Sequence, residues 1–95
     1  MPETITKQLL QLMGDEYVRY ITGASARDLD KWQNGVFDDL DALETIVFAW
    51  TIYERLYLAT GRLNARAWLV NHKVDIKNRE FNKVSQAARH WIEGK

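Results

Sequence analysis

Residues 14–35, GDEYVRYITGASARDLDKWQNG, have the pattern of two short helices joined by a tight turn. Residues 15–22 predict the first helix, and Gly23 supplies the backbone freedom that a tight turn requires. Ser25 predicts the start of the second helix, because Ser25 and Asp28 have the spacing of a capping box with Asp in place of Glu. We therefore predict a helix-turn-helix in this segment.

Four apolar residues support that assignment. With Gly23 as the turn glycine, Val18 and Ile21 of the first helix fall where the motif needs contacts with Leu29 and Trp32 of the second. The segment ends at Asn34 and Gly35, two residue types that tolerate left-handed backbone angles and so end helices. The expected geometry turns the side chain of Arg27 outward.

The rest of the chain also favours helices. Residues 4–13 predict an N-terminal helix, and residues 38–60 predict the longest element, which ends at Gly61. Apolar residues nearly encircle the axis of this long helix, which predicts burial on most sides by other helices and by a second subunit. They are Leu43, Ile46, Val47, Phe48, Trp50, Ile52, Tyr53, Leu56 and Tyr57.

The C-terminal part predicts two further helices. Asn64 is expected to cap a short helix over residues 65–70, residues 71–78 are expected to form a linker, and residues 79–93 form the last helix. The fold prediction is all-α: one domain over residues 1–95, with five or six helices. Within it lie the helix-turn-helix (14–35), the central helix (38–60) and a basic C-terminal part (62–95).

The composition excludes several classes of protein. The chain has no cysteine, so disulfides, thiolate metal sites and thiol nucleophiles are excluded, and a reducing cytoplasm is the expected location. The first residues lack the features of a signal peptide, and no run of 18 apolar residues predicts a membrane span. We expect no membrane association.

Catalysis finds little support in the residues. The sequence has no glycine-rich loop of the kind that binds phosphate, and its Ser, His and Asp residues form no recognisable catalytic set. His72 and His90 have Asp75 and Glu93 three residues beyond them, but we interpret them as surface residues rather than metal ligands. The prediction is a protein that is not an enzyme and needs no metal or cofactor.

The charge is divided between the two halves of the chain. Residues 1–54 carry four Lys/Arg and ten Asp/Glu, a balance of −6, whereas residues 55–95 carry nine and three, a balance of +6. The whole chain has a net charge of zero. Such an asymmetry predicts an interaction surface or self-complementary assembly.

A helix-turn-helix typically places its second helix in the major groove of DNA. The predicted DNA-binding residues are the outward positions of that helix, with Arg27 suited to a guanine and Ser25 to a phosphate. They are Ser25, Ala26, Arg27, Asp30 and Lys31.

The charge of this segment is unfavourable for DNA. Residues 14–35 carry three Lys/Arg and four Asp/Glu, and Asp28 and Asp30 would lie near phosphates. Any DNA binding therefore needs help from positive residues of the C-terminal half. The candidates are Lys73, Lys77, Arg79, Lys83 and Arg89.

The order of these elements resembles the Xre/MbcA/ParS group of antitoxins, which are common in bacteria and their phages. The pieces that carry the resemblance are VRYITG (18–23), WQNG (32–35), the helix over 43–58, and ARAWL (65–69) followed by Asn71. They cover nearly the whole chain in the family's order.

The resemblance implies an N-terminal module that binds a promoter and a C-terminal module that docks on a partner toxin and blocks its active-site entrance. It also implies toxins that act on NAD or transfer a group from it, and an antitoxin that often dimerises and represses its own operon. On this basis we expect DNA, a cognate toxin and a second copy of the chain as partners. The expected toxin-binding residues are Trp68, Lys77, Arg79, Lys83 and Arg89.

An alternative function remains open from the residues alone. Asp28 and Asp30 favour a protein-interaction module, of a kind that a phage could encode, in which the helix-turn-helix is only a scaffold.

Overall fold

The computed structural model describes residues 1–94, and Lys95, the last residue of the predicted basic part, lies outside them. The described residues form seven helices and no strand, which confirms the all-α prediction. The helices are α1 (Pro2–Met13), α2 (Asp15–Thr22), α3 (Ala26–Gln33), α4 (Leu40–Thr60), α5 (Arg62–Asn71), α6 (Lys73–Lys77) and α7 (Phe81–Glu93).

The α2–α3 turn has the predicted local structure. Gly23 adopts a left-handed conformation with φ 75°, and its N–H donates to the carbonyl of Arg19 at 2.8 Å. Ser25 then caps α3 through the predicted capping box with Asp28. The chain leaves α3 through Asn34 and Gly35, the latter at φ 85°.

The four apolar residues predicted between α2 and α3 all lie in the core. Val18 is fully buried, and Ile21, Leu29 and Trp32 are each at most 3% exposed. They belong to one cluster that also includes residues of α1, α4, α5, α6 and α7. Since α3 packs mainly on α1 and α2, this cluster fixes the orientation of the first turn of α3.

Helix α4 is the central element, and α1, α2, α5 and α7 pack around it. It begins at Leu40 because the side chain of Asp39 accepts the N–H of Ala42 at 3.1 Å. Its buried residues form one stripe: Ala42, Thr45, Ile46, Ala49, Ile52, Tyr53 and Leu56.

The predicted burial of α4 on most sides is wrong within the single chain. Val47 and Tyr57 are exposed, and so are Leu40 and Leu58, which flank the predicted apolar run. The helices that surround α4 cover only one face, because they are short and approach it from the same side.

The C-terminal part differs from prediction in two places. Helix α5 begins at Arg62 rather than at residue 65, and Asn64 lies inside it, where its side chain donates to the carbonyl of Thr60 at 3.1 Å. Residues 71–78, predicted as a linker, contain α6, whose Ile76 is fully buried. This extra helix packs chiefly on α2 and raises the number of helices in residues 1–94 above the five or six expected.

Helix α7 begins two residues later than predicted, because Arg79 takes a positive φ of 60° between α6 and α7. Val84 and Ala88 of this helix are buried, whereas Arg89 and His90 are exposed. Across residues 1–94, every helix is too short or too polar to cross a lipid bilayer.

Candidate nucleic-acid interface

The first turn of α3 is held by its own cap. The Ser25 hydroxyl oxygen accepts the N–H of Asp28 at 3.1 Å, and the Asp28 carboxylate accepts the N–H of Ser25 at 3.0 Å. The backbone and side-chain hydrogen bonds from Ser25 lower the pKa of Asp28.

Four of the five predicted DNA-binding residues are exposed at the cap and in the first half of α3. Ala26, Arg27 and Asp30 are exposed, as is Ser25 at the cap. Within residues 1–94, the guanidinium of Arg27 has no hydrogen bond or ion pair. Arg27 is therefore free to reach a group outside the chain, as the sequence predicted.

Lys31 is in a different situation. Its ammonium nitrogen lies 2.5 Å from an Asp38 carboxylate oxygen and 3.9 Å from one of Asp28. The hydrogen bond to Asp38 is the main cause of a raised pKa for Lys31. The indole N–H of Trp32 also donates to Asp38, at 3.3 Å. Two carboxylates thus already balance the positive charge of Lys31.

An acidic cleft borders this end of α3. Its walls are Asp28, Trp32, Asp38, Asp39, Leu40 and Asp41. Four carboxylates concentrate negative charge there, and phosphates within about 8–10 Å would be repelled at physiological salt. Sequence patterns do not predict this cleft, because it depends on how α3 packs beside the start of α4.

Helix α6 brings positive charge to α2. The ammonium groups of Lys73 and Lys77 lie 5.0 and 5.3 Å from the centre of the Tyr20 ring on α2, within the range of cation–π attraction. Next to Tyr20 in α2, the Arg19 side chain donates to the carbonyl of Ala24 at 3.2 Å. We call Arg19, Tyr20, Lys73 and Lys77 the α2–α6 basic surface.

This basic surface is continuous with the turn before α3. One groove is lined by Glu16, Arg19, Tyr20, Gly23 and Ala24. A second groove, lined by Met13, Glu16, Tyr17, Tyr20, Val70 and Lys73, shares Glu16 and Tyr20 with it. The two grooves together therefore extend from Lys73, across Tyr20, to Ala24, which directly precedes Ser25. Tyr20 was missed from the sequence, because its role depends on the docking of α6.

The predicted toxin-binding residues of α5 and α6 are largely engaged within the chain. Trp68, an expected toxin-binding residue, is only 5% exposed, and its ring stacks on that of His72 at 3.6 Å. Helix α5 turns Trp68 toward the core, so its side chain offers little surface to a partner. Lys77 is exposed and lies over Tyr20, as described above.

Arg79, Lys83 and Arg89 have three different environments. The guanidinium of Arg79 donates to the carbonyl of Asp41 at 2.8 Å and to the carboxylate of Glu44, and so joins the α6–α7 connection to α4. Lys83 lies 3.5 Å from carboxylates of Asp75 and Glu80, and this pairing raises its pKa. Arg89 is exposed and has no ion pair within residues 1–94.

The two histidines lie in different settings. The Nδ1 of His72 lies 2.8 Å from the carbonyl of Trp68, whereas His90 is exposed on α7. Over the part of the chain that the structure describes, no three His, Asp or Glu side chains are grouped to hold a metal ion.

Comparisons of this chain with models of known protein families, with curated proteins and with solved structures find no match.

Proposed function

We propose that this chain is a non-enzymatic transcriptional regulator that binds DNA through the helix-turn-helix formed by α2 and α3. One observation carries the proposal: Lys73 and Lys77 lie against Tyr20 of α2. Residues 14–35 alone have a net charge of −1, and phosphate neutralisation supplies nearly all non-specific affinity for DNA. The lysines of α6 add positive charge that this segment lacks.

The residues divide into two roles in this proposal. Arg27 is exposed and unpaired, so the N–H groups of its guanidinium can donate to the O6 and N7 atoms of a guanine in the major groove. The Ser25 hydroxyl, Lys73 and Lys77 contact phosphates and fix the register of the protein on the duplex. Ala26 and Asp30 lie on the exposed side of α3 and face the groove, and Lys31 remains paired with Asp38.

A gel-shift titration with the DNA upstream of the chain's own gene tests the proposal. At about 50 mM salt the wild type should retard this DNA, and retardation should weaken by about 200 mM. Arg27→Ala should lose about 1–3 kcal/mol of preference for that DNA over an unrelated duplex. Lys83→Ala is the control, since Lys83 is already paired with two carboxylates. A wild type that retards no DNA at about 50 mM salt would refute the proposal.

The resemblance to antitoxins extends the proposal to a protein partner, a toxin encoded by the neighbouring gene. The exposed and unpaired Arg89 supports a contact surface on α7. The test is co-purification of the two gene products, in which Arg89→Glu should weaken the complex. Arg79→Glu is less informative, because it also breaks the link from Arg79 to α4. A complex that survives Arg89→Glu would remove Arg89 from the partner surface.

A second candidate function is favoured by the acidic cleft beside α3. If the helix-turn-helix is a scaffold, the cleft of Asp28, Asp38, Asp39 and Asp41 would receive a basic segment of a protein. Asp38→Asn separates the two functions. It releases Lys31 and removes one negative charge, so it should strengthen binding of DNA but weaken binding of a basic protein partner.

A further inference from the structure

Helix α4 carries a second row of side chains, on a different side from its buried stripe. The row has the alternating spacing of three and four residues that keeps side chains along one line of a helix. Leu40 is 75% exposed, Val47 is 37% exposed and Tyr57 is 49% exposed, whereas Leu43 and Trp50 are half-buried. We call this row the α4 seam, and its members are Leu40, Leu43, Val47, Trp50, Glu54 and Tyr57.

The spacing of the α4 seam is typical of a helix that packs along another helix, because each side chain of the row can insert between side chains of a partner. Residues 40–57 span about five helical turns, or about 26 Å. Towards the end of the seam, Trp50, Glu54 and Tyr57 line a shallow, mainly apolar groove together with Tyr53 and Leu58. Trp and Tyr are residue types that often anchor protein interfaces.

The α4 seam is separate from the side of α4 that α7 covers. The rings of Phe48 on α4 and Phe81 on α7 stack with their centres 4.3 Å apart. Phe48 comes two residues before Trp50 and therefore lies about 160° round the helix from it. A helix on the seam thus uses a different surface from the one proposed around Arg89.

Glu54 is the one charged residue of the α4 seam. Its side chain is exposed and has no hydrogen bond or ion pair within residues 1–94. A helix that covers the seam removes this carboxylate from water, which is costly unless a positive group lies against it. The same seam in a second copy of the chain contains no Lys or Arg, so it offers Glu54 no such group.

The other charges on this part of the surface lie beside the seam. Asp41 and Glu44 already contact Arg79. Arg55 and Arg62 are exposed and without an ion pair in residues 1–94, and Arg62 borders a groove that also includes Trp50. Charged residues that flank an apolar row pair with the flanks of a partner helix rather than with its apolar row. The positive flank therefore fits acidic residues at the edge of the partner, and Glu54 fits a basic residue within its apolar row.

We propose that the α4 seam binds an amphipathic helix of a partner protein, and that this helix sets a Lys or Arg against Glu54. The apolar residues of the seam supply the buried area. Glu54 fixes the register, because a displaced partner would leave its carboxylate against an apolar side chain. The proposal depends neither on DNA binding nor on Arg89, so its test can fail without affecting the proposed function.

Fluorescence anisotropy with labelled synthetic peptides, without DNA, tests the proposal. The probe is an amphipathic peptide of about three heptads with leucine along its apolar row, except for one central lysine. A companion peptide carries glutamate at the central position. The wild type should bind the lysine peptide at least about tenfold more tightly than the glutamate peptide, and Glu54→Lys should reverse this preference. No binding of the lysine peptide, equal affinity for the two peptides, or an unreversed preference in Glu54→Lys would overturn the proposal.

Matched variants locate the peptide on the protein. Val47→Glu should weaken binding of the lysine peptide, although it adds a negative charge, because it places a carboxylate against a leucine. Val74→Glu should leave binding unchanged, since Val74 is 53% exposed but lies on α6. Asp38→Asn should also leave it unchanged, since it removes a carboxylate from the acidic cleft and not from the seam. Each variant should keep the helical circular dichroism spectrum of the wild type. Loss of binding in Asp38→Asn but not in Val47→Glu would place the peptide in the acidic cleft and refute the proposal.

Light scattering coupled to size-exclusion chromatography tests whether a second copy covers the seam instead. The wild type and Val47→Glu are expected to have the same mass. A wild type with the mass of two chains that Val47→Glu converts to single chains would show that a second copy occupies the seam, and would overturn the proposal.

Discussion

Gly23 is the residue on which the direction of α3 depends. Its left-handed backbone ends α2 and starts the turn that leads to the Ser25 cap. Two neighbours strengthen the turn: the Thr22 hydroxyl oxygen accepts the N–H of Ala24 at 3.2 Å, and Arg19 donates to the Ala24 carbonyl. The sequence predicted Gly23 and the capping box correctly, because both are local effects of backbone geometry.

Replacement of Gly23 by alanine should destabilise the fold by about 1–2 kcal/mol, the cost of a left-handed backbone for a residue with a β-carbon. The new methyl group would meet no atom within 4 Å, so the loss comes from the backbone rather than from a clash. Urea unfolding measures it. Gly23→Asn is the control and should lose less, because asparagine tolerates this conformation better. Equal stability of Gly23→Ala and wild type would contradict the turn geometry.

Tyr17 leads to a prediction at alkaline pH. Its hydroxyl donates to the carbonyl of Leu69 at 2.9 Å, and burial raises its pKa well above the ordinary value of 10.0. A phenol whose pKa is higher in the folded state stabilises the fold fully below pH 10, and this contribution is lost as the pH rises beyond it. Wild-type stability should therefore fall above pH 10.

Tyr17→Phe tests this effect. At neutral pH it should lose about 0.5–1.5 kcal/mol with the hydrogen bond to Leu69. Its unfolding free energy should then decline less than that of the wild type above pH 10. Urea unfolding at several pH values measures both quantities. Parallel alkaline declines for the two proteins would show that Tyr17 ionises normally in the folded state.

Among the elements, the end of α3 is held to the segment before α4 by Asp38. The hydrogen bonds from Lys31 and Trp32 lower the pKa of Asp38 below its ordinary value of 3.8. A carboxylate whose pKa is lower in the folded state stabilises the fold above the unfolded-state pKa, and the contribution is lost as the pH falls through the folded-state value.

The wild type should therefore lose stability as the pH falls below about 4, and Asp38→Asn should show a smaller loss in that range. Thermal unfolding between neutral and acid pH measures the difference. Asp30→Asn is a matched control, since Asp30 is exposed and has no ion pair within residues 1–94. An identical acid profile for Asp38→Asn and wild type would mean that the link from α3 to Asp38 does not form in solution.

The elements also show what the sequence could not predict. Helices α1, α2, α3, α4 and α7 followed from apolar periodicity, caps and glycines. Helix α6 did not, because a five-residue helix is unstable alone and depends on tertiary contacts through Ile76. The basic surface and the acidic cleft were missed for a related reason. Each joins residues from elements whose relative positions no local pattern specifies.

Across the whole molecule, folding brings some positive side chains of the C-terminal half into contact with the acidic N-terminal half. Arg79 from the basic half binds Glu44 and the carbonyl of Asp41 in the acidic half, and Lys73 and Lys77 reach Tyr20 of α2. Other charges remain unpaired among the residues described, including Arg27, Arg55, Arg62 and Arg89. The proposals assign Arg27 to DNA and Arg89 to a protein partner.

The salt dependence of DNA binding tests the central claim, that the lysines of α6 complete the DNA-binding surface. Fluorescence anisotropy with the upstream duplex should give an affinity that falls steeply with salt concentration. The slope in question is that of the logarithm of the binding constant against the logarithm of the salt concentration. Lys73→Ala combined with Lys77→Ala should reduce the magnitude of this slope by about 1.8 per chain bound, and Lys83→Ala should leave it unchanged. No binding by the wild type at low salt, or an unchanged slope in the double variant, would contradict the account.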